Sequence, residues 1–272
     1  MFRRYIMKKY FALLLAAALL VSVCVCALAD ESFSLRGYDK KAGYQYIQLG
    51  EFPQDADSTV RPILWRVLSI EEDYAYLLSE YVLFNNRIHP DDKAYIEFGG
   101  AFNQTEMFTL LNGPFEGNPV SLEERASLLK NWRVGRVHIA TTSFKDQAFT
   151  LKEQDMLVTD EELGSVFLLT SDDLKNKAYG FTSAKSRMGY GTEYAAETGL
   201  FVYQNGSSPY WTRSQSGTHT YGTRCTKVDG SIGYIRCVVM NEGCRPAVRL
   251  KLSGLAPVSG SGSKDDPFTF ER

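Results

Sequence analysis

The residues best equipped for chemistry lie in one block, Tyr210 to Leu250, which reads YWTRSQSGTHTYGTRCTKVDGSIGYIRCVVMNEGCRPAVRL. Tyr210, Trp211, Arg213, His219, Tyr221 and Arg224 combine aromatic faces with planar guanidinium donors, a pairing suited to sugars and carboxylates. These six are the candidate ligand-binding residues. The competing reading buries Trp211 in the core and has Arg213 and Arg245 pin loops through backbone carbonyls, since a Trp among alternating strand residues usually buries.

Cys225, Cys237 and Cys244 fall in the same block, around a strand-turn-strand pattern centred on Asp229-Gly230. A five-residue turn from Asp229 to Gly233 sets Cys225 opposite Cys237 and makes the two a candidate disulfide. A two-residue turn at Asp229-Gly230 sets Cys225 opposite Tyr234 instead, and the bridge fails. Three thiols leave at least one unpaired in either case. A structural bridge with a buried Cys244 suits an exported chain, and a reactive cysteine pair is the sharper alternative.

Other chemistries find little support. His89, His138 and His219 are scattered, with no H-E-x-x-H pair, and no C-x-x-C occurs. There is no G-x-S-x-G elbow and no phosphate-cradling glycine loop, and Gly189-Tyr190-Gly191 reads as a turn. The pairs Asp91-Asp92, Asp172-Asp173 and Asp265-Asp266 lack the alternating spacing of a calcium loop, so calcium would have to be held through backbone carbonyls. No catalytic residue, metal or cofactor is assigned from the sequence.

The elements around the block follow from what precedes it. Residues 1 to 29 read as an export signal: Arg3, Arg4, Lys8 and Lys9, then the apolar run Phe11 to Cys26, then Ala27-Leu28-Ala29 before a cleavage point. The chain is therefore expected to be secreted or held at the cell surface, with membrane contact only if the leader stays uncleaved. The whole chain of 272 residues carries a net charge of −2; removing the four leader bases leaves 26 basic against 32 acidic residues, or −6. That balance argues against nucleic acid or anionic lipid as the main partner.

Strands are expected over Tyr44 to Leu49, Pro62 to Ile70, Tyr74 to Ser79, Val166 to Leu169 and Ala247 to Leu252, the second and third joined by the turn Glu71-Glu72-Asp73. Helices are expected over Gln104 to Leu111, from the capping box Ser121-Leu122-Glu123-Glu124 to about Asn131, from Thr170 to Tyr179, and over Thr192 to Thr198. Residues 85 to 102 read as loop, and Arg133 to Ala148 fits strand or loop equally. The fold class is α+β: mixed, mainly antiparallel strands with a few short helices and long loops. The organisation is a signal peptide over 1–29, a polar lead-in over 30–43, a single globular domain over 44–253, and a Gly/Ser linker with a short tail over 254–272.

Several segments, in order, resemble the bacterial domain-of-unknown-function family 6273, found in exported proteins of gut-dwelling Gram-positive bacteria. They are Tyr46-Ile47-Gln48-Leu49-Gly50-Glu51-Phe52-Pro53-Gln54, Pro62 to Leu68, Leu77-Leu78-Ser79-Glu80, Leu110-Leu111-Asn112 with Phe115, and Val166-Phe167-Leu168-Leu169-Thr170. Arg187, Thr192, Tyr194, Ala195 and Gly199, then Tyr210-Trp211-Thr212-Arg213-Ser214, Gly243-Cys244-Arg245-Pro246-Ala247-Val248 and Gly260 to Phe268 extend it over about residues 44 to 270. More distantly, the C-terminal pattern is similar to formylglycine-generating and C-type-lectin-like domains. The resemblance implies a non-catalytic binding module for an extracellular glycan, peptide or protein. Two alternatives stand beside it: a thiol- or copper-dependent oxidase, which needs Cys225 and Cys237 as reducible thiols in an open pocket, and a structural envelope component.

Overall fold

The computed structural model describes residues 34–113 and 143–271, with the backbone of 133–134 and 138–139. Alternating apolar residues build the larger sheet. In β2 (Val60–Ile70), Ile63, Trp65 and Val67 all point inward and are fully buried. β2 lies between β1 (Tyr46–Pro53) and β3 (Tyr74–Ser79), and the β2–β3 turn closes where Glu71 N–H donates to Tyr74 O at 2.9 Å. β3 is apolar in succession because it is a central strand, flanked on its other side by β14 (Ala247–Lys251), with β7 (Val166–Phe167) beyond.

Gly50, at φ +69°, makes the bulge between Gln48 and Glu51 in β1. A Cβ there would come within 2.7 Å of Ala148 O and the Phe149 ring, so only glycine lets β1 lie against the helix α3 (Phe144–Ala148). The core beside it is aromatic, with the Phe52 ring 5.0 Å from Phe144, 5.7 Å from Tyr194 and 5.9 Å from Phe84. The indole of Trp65 donates to Leu49 O at 2.8 Å.

The second sheet has the order β12 (Ile232–Arg236), β11 (Gly222–Thr226), β10 (Tyr210–Gln215), β13 (Gly243–Cys244) and β4 (Phe84–Asn85). Short pairs are formed by β5 (Arg133–Val134) with β6 (His138–Ile139), and by β8 (Gly189–Tyr190) with β9 (Ser207–Ser208). The chain passes from β13 in one sheet to β14 in the other through Arg245-Pro246. Buried Arg245 secures this step: Nε donates to Ser79 O at 2.9 Å, Nη2 donates to Glu80 O at 3.1 Å, and the guanidinium lies over the Tyr210 ring.

Among the described residues the helices are few and short, and side chains cap them. Asp91 caps α1 (Asp92–Glu97), within the stretch expected to be loop, and Thr105 caps α2 (Glu106–Asn112) close to its expected span. Asn112 then serves as a pairing partner for β7: its Nδ2 donates to Val166 O at 2.8 Å, and its Oδ1 accepts from Ser165 and Val166 N–H. Thr150 and Glu153 form a capping box on α4 (Leu151–Asp155). The helix expected from Thr170 to Tyr179 is two 3₁₀ turns, Asp173–Lys175 and Lys177–Tyr179, because Asn176 breaks it by capping the second. α5 (Ala184–Arg187) and α6 (Glu193–Glu197) follow, the latter where a helix was expected. The helix expected from Ser121 lies outside the described residues. The architecture is α+β with mainly antiparallel strands.

Both ends of the expected domain need correction. Residues 254–272 do not form a linker: β16 (Phe268–Phe270) pairs in parallel with β1, and β15 (Pro257–Ser259) pairs with β16 at the sheet edge. Burying Phe268 and Phe270 outweighs the flexibility of the Gly/Ser run, which becomes a turn closed by Ser261 N–H on Asp266 O at 3.0 Å. The described part of the polar lead-in is docked as well, with Tyr38 N–H donating to Leu68 O at 3.0 Å and the Arg36 guanidinium to Gly43 O at 2.8 Å.

Candidate functional site

The hairpin β11–β12 takes a register that neither expected turn describes. Lys227 N–H donates to Ser231 O at 2.8 Å, and Gly230 at φ +78° completes a three-residue loop, Val228 to Gly230. Cys225 therefore faces Gly233, and Cys237 lies beside Tyr221, whose carbonyl accepts its N–H. The candidate Cys225–Cys237 disulfide is not formed. All three thiols are free and buried. Burial pushes Cys225 up to about 12, with the Glu242 carboxylate adding to it. Burial likewise raises Cys237 to about 12, followed by its hydrogen bond to Asp92 Oδ1 at 3.2 Å, and burial alone holds Cys244 well above its ordinary value. Such thiols are poor nucleophiles. Iodoacetamide at pH 8 is expected to leave all three unmodified in the native protein and to alkylate all three in urea, read by peptide mass; native labelling of Cys225 or Cys237 would contradict this.

The six candidate residues separate. Trp211 is 1% exposed and its indole donates to Asn86 O at 2.7 Å; Tyr210 is equally buried and its hydroxyl donates to Arg187 O at 2.7 Å. Neither reaches an open surface, because β10 is a central strand covered on both faces. Arg213 donates through Nη1 to Leu168 O at 2.6 Å and lies 3.6 Å from Asp173, whose carboxylate also accepts from Thr170 N–H. It still forms part of the wall of an open cleft of 510 Å³, with Gly100, Phe102, Asn103, Glu162 and Thr170.

His219, Tyr221 and Arg224 do belong to one surface, together with Tyr234, which sequence reasoning passed over. The His219 and Tyr234 rings stack at 4.0 Å and 15°, and Tyr221 stands edge-on to the imidazole at 5.7 Å. Tyr221 is 37% exposed and Tyr234 41%. The imidazole is held at both nitrogens: Nδ1 lies 3.0 Å from Thr218 Oγ1, and Nε2 lies 3.0 Å from the Tyr234 hydroxyl. Ser216 N–H donates to Gly222 O, Gly222 N–H to His219 O, and the Gln215 amide to Thr220 O, so the supporting loop is tied to the sheet. Arg224 pairs across the ladder with Tyr234 and shares its face. Tyr234 was legible only through the hairpin register, since G-S-I-G-Y-I-R alone does not say what it faces.

Gln215 lies between this platform and the cleft: it holds Thr220 on one side, and its side chain is against Gly100 on the other. Acidic residues near both serve the fold: Asp91 caps α1, Asp92 pairs with Arg236, and Asp173 receives Thr170 and Tyr76. The arrangement is a rigid, exposed aromatic–imidazole surface flanked by an arginine, able to stack against and hydrogen-bond a ligand. No family model, curated protein or solved structure matches the chain, so its role is argued from these residues.

Proposed function

We propose that the protein is an exported, non-catalytic binding module of the cell surface or its surroundings, which holds an extracellular glycan, peptide or protein on the His219–Tyr221–Tyr234 platform. The observation that carries this reading is the stacked pair of half-buried His219 and exposed Tyr234, whose rings are fixed by hydrogen bonds before any ligand arrives. Preorganisation of this kind lowers the ordering cost of binding. The leader and the resemblance to family 6273 agree with it. The oxidase alternative needs an open thiol pair and gains nothing from cysteines that are buried and out of register.

The test is a glycan and peptide array probed with the mature protein and with Tyr234→Ala. Tyr234 sits on an edge strand with its ring exposed, so the variant is expected to keep its circular dichroism and to lose about tenfold in affinity, the order of one aromatic contact. Undiminished binding by a folded Tyr234→Ala protein would end the proposal.

A further inference from the structure

We infer that the outer edge of β12 is a docking edge for an extended peptide rich in acidic side chains, which joins the five-stranded sheet as a sixth strand beside the platform. The inference rests on the platform reading and adds the ligand class.

Hydrogen bonding along an antiparallel strand alternates, one residue facing its partner and the next facing away. Here the phase is set by three bonds. Gly222 O accepts from Ser216, on the β10 side, whereas Lys227 N–H and Cys237 N–H bond across the β11–β12 ladder. Gly233 and Ile235 of β12 therefore bond inward to Cys225 and Thr223. Ile232 and Tyr234 turn their N–H and C=O groups outward, and among the described residues β12 is the last strand of its sheet, with no further strand paired to it.

Proteins usually blunt such an edge with proline, a bulge or inward charge. β12 carries none of the three; its one charged residue, Arg236, leans away to pair with Asp92. Two other cations flank the open stretch, and the structure gives neither an ion-pair partner among the described residues. Arg224 lies on the Tyr234 face, and the Lys227 side chain runs against Gly233, where a Cβ would meet its Cε at 2.3 Å and its Nζ at 3.3 Å. An added strand would bond main chain to main chain at Ile232 and Tyr234. It would set alternate side chains toward Arg224 with the aromatic platform and toward Lys227, so acidic residues suit both faces.

The probe is a capped heptapeptide, Val-Glu-Glu-Val-Glu-Glu-Val, which as a strand carries glutamates on both faces; it is compared with its valine–lysine counterpart by calorimetry and by amide exchange in NMR. The glutamate peptide is expected to bind at least tenfold more tightly, and to slow exchange at Ile232 and Tyr234 while leaving Gly233 and Ile235 unchanged. Ile232→Pro removes an outward donor without breaking a ladder bond and is expected to weaken binding at least fivefold; should it not fold, the wild-type exchange pattern decides. Equal binding of the two peptides, no binding, slowing without the alternating pattern, or edge-to-edge dimers in place of peptide capture would overturn the inference. Capture of a glycan alone, lost with Tyr234→Ala, would also overturn it while leaving the platform reading intact.

Discussion

Trp211→Ala is expected to destabilise the protein by about 4 kcal/mol, the cost of a large cavity in a close-packed core. The indole is 1% exposed, and Asn86 O would lose its donor at 2.7 Å and be left buried without one. Burial on a central strand makes relaxation around the cavity incomplete, since Tyr210 on one side and Cys225 across the ladder are themselves packed. Urea unfolding followed by circular dichroism measures the effect. A loss under 1 kcal/mol accompanied by loss of ligand would return Trp211 to the binding surface and contradict its assignment to the core.

The second large effect concerns Glu242, 8% exposed, whose Oε2 has no hydrogen-bond partner. Burial pushes its carboxyl up to about 7. The sign follows from proton binding: between its ordinary value of 4.5 and about 7, the folded protein keeps a proton that the unfolded chain has released. This group's contribution to stability is therefore full below about pH 4.5, declines as pH rises to about 7, and is flat above. The displacement amounts to about 3 kcal/mol. Glu242→Gln cannot ionise, so its stability relative to wild type is expected to rise by about 3 kcal/mol between pH 4.5 and 8. Urea midpoints across that range provide the measurement, and parallel curves for the two proteins would refute it.

Period-two alternation made β2 readable and an unbroken apolar run made β3 readable, because burial of one face or of both leaves a direct trace in residue type. Thr192 stands at the start of the expected helix and caps it for an equally local reason, the need to satisfy free N–H groups, whereas Thr105, inside the expected span from Gln104, proves to be the cap of α2. The tail was opaque because Gly260 to Ser263 reads as linker, whereas the alternation Phe268-Thr269-Phe270 that decides its place is three residues long. At the site, Arg213 and Arg245 turned out to hold backbone carbonyls, as the competing reading had it. Cysteine pairing failed for a single-residue reason. The loop Val228–Gly230, with Gly230 in the left-handed region, shifts the ladder, and that shift both parts Cys225 from Cys237 and brings Tyr234 opposite Arg224. Tyr234 became visible only with the register.

The most direct test of the central claim is an aromatic ¹H–¹³C NMR titration of the mature protein with whatever ligand the arrays capture. The account predicts saturable shifts of the His219, Tyr221 and Tyr234 ring signals, with Tyr210 and Trp211 unmoved in the core. Shifts centred on Trp211, or a bound ligand that leaves all three platform rings unperturbed, would contradict it.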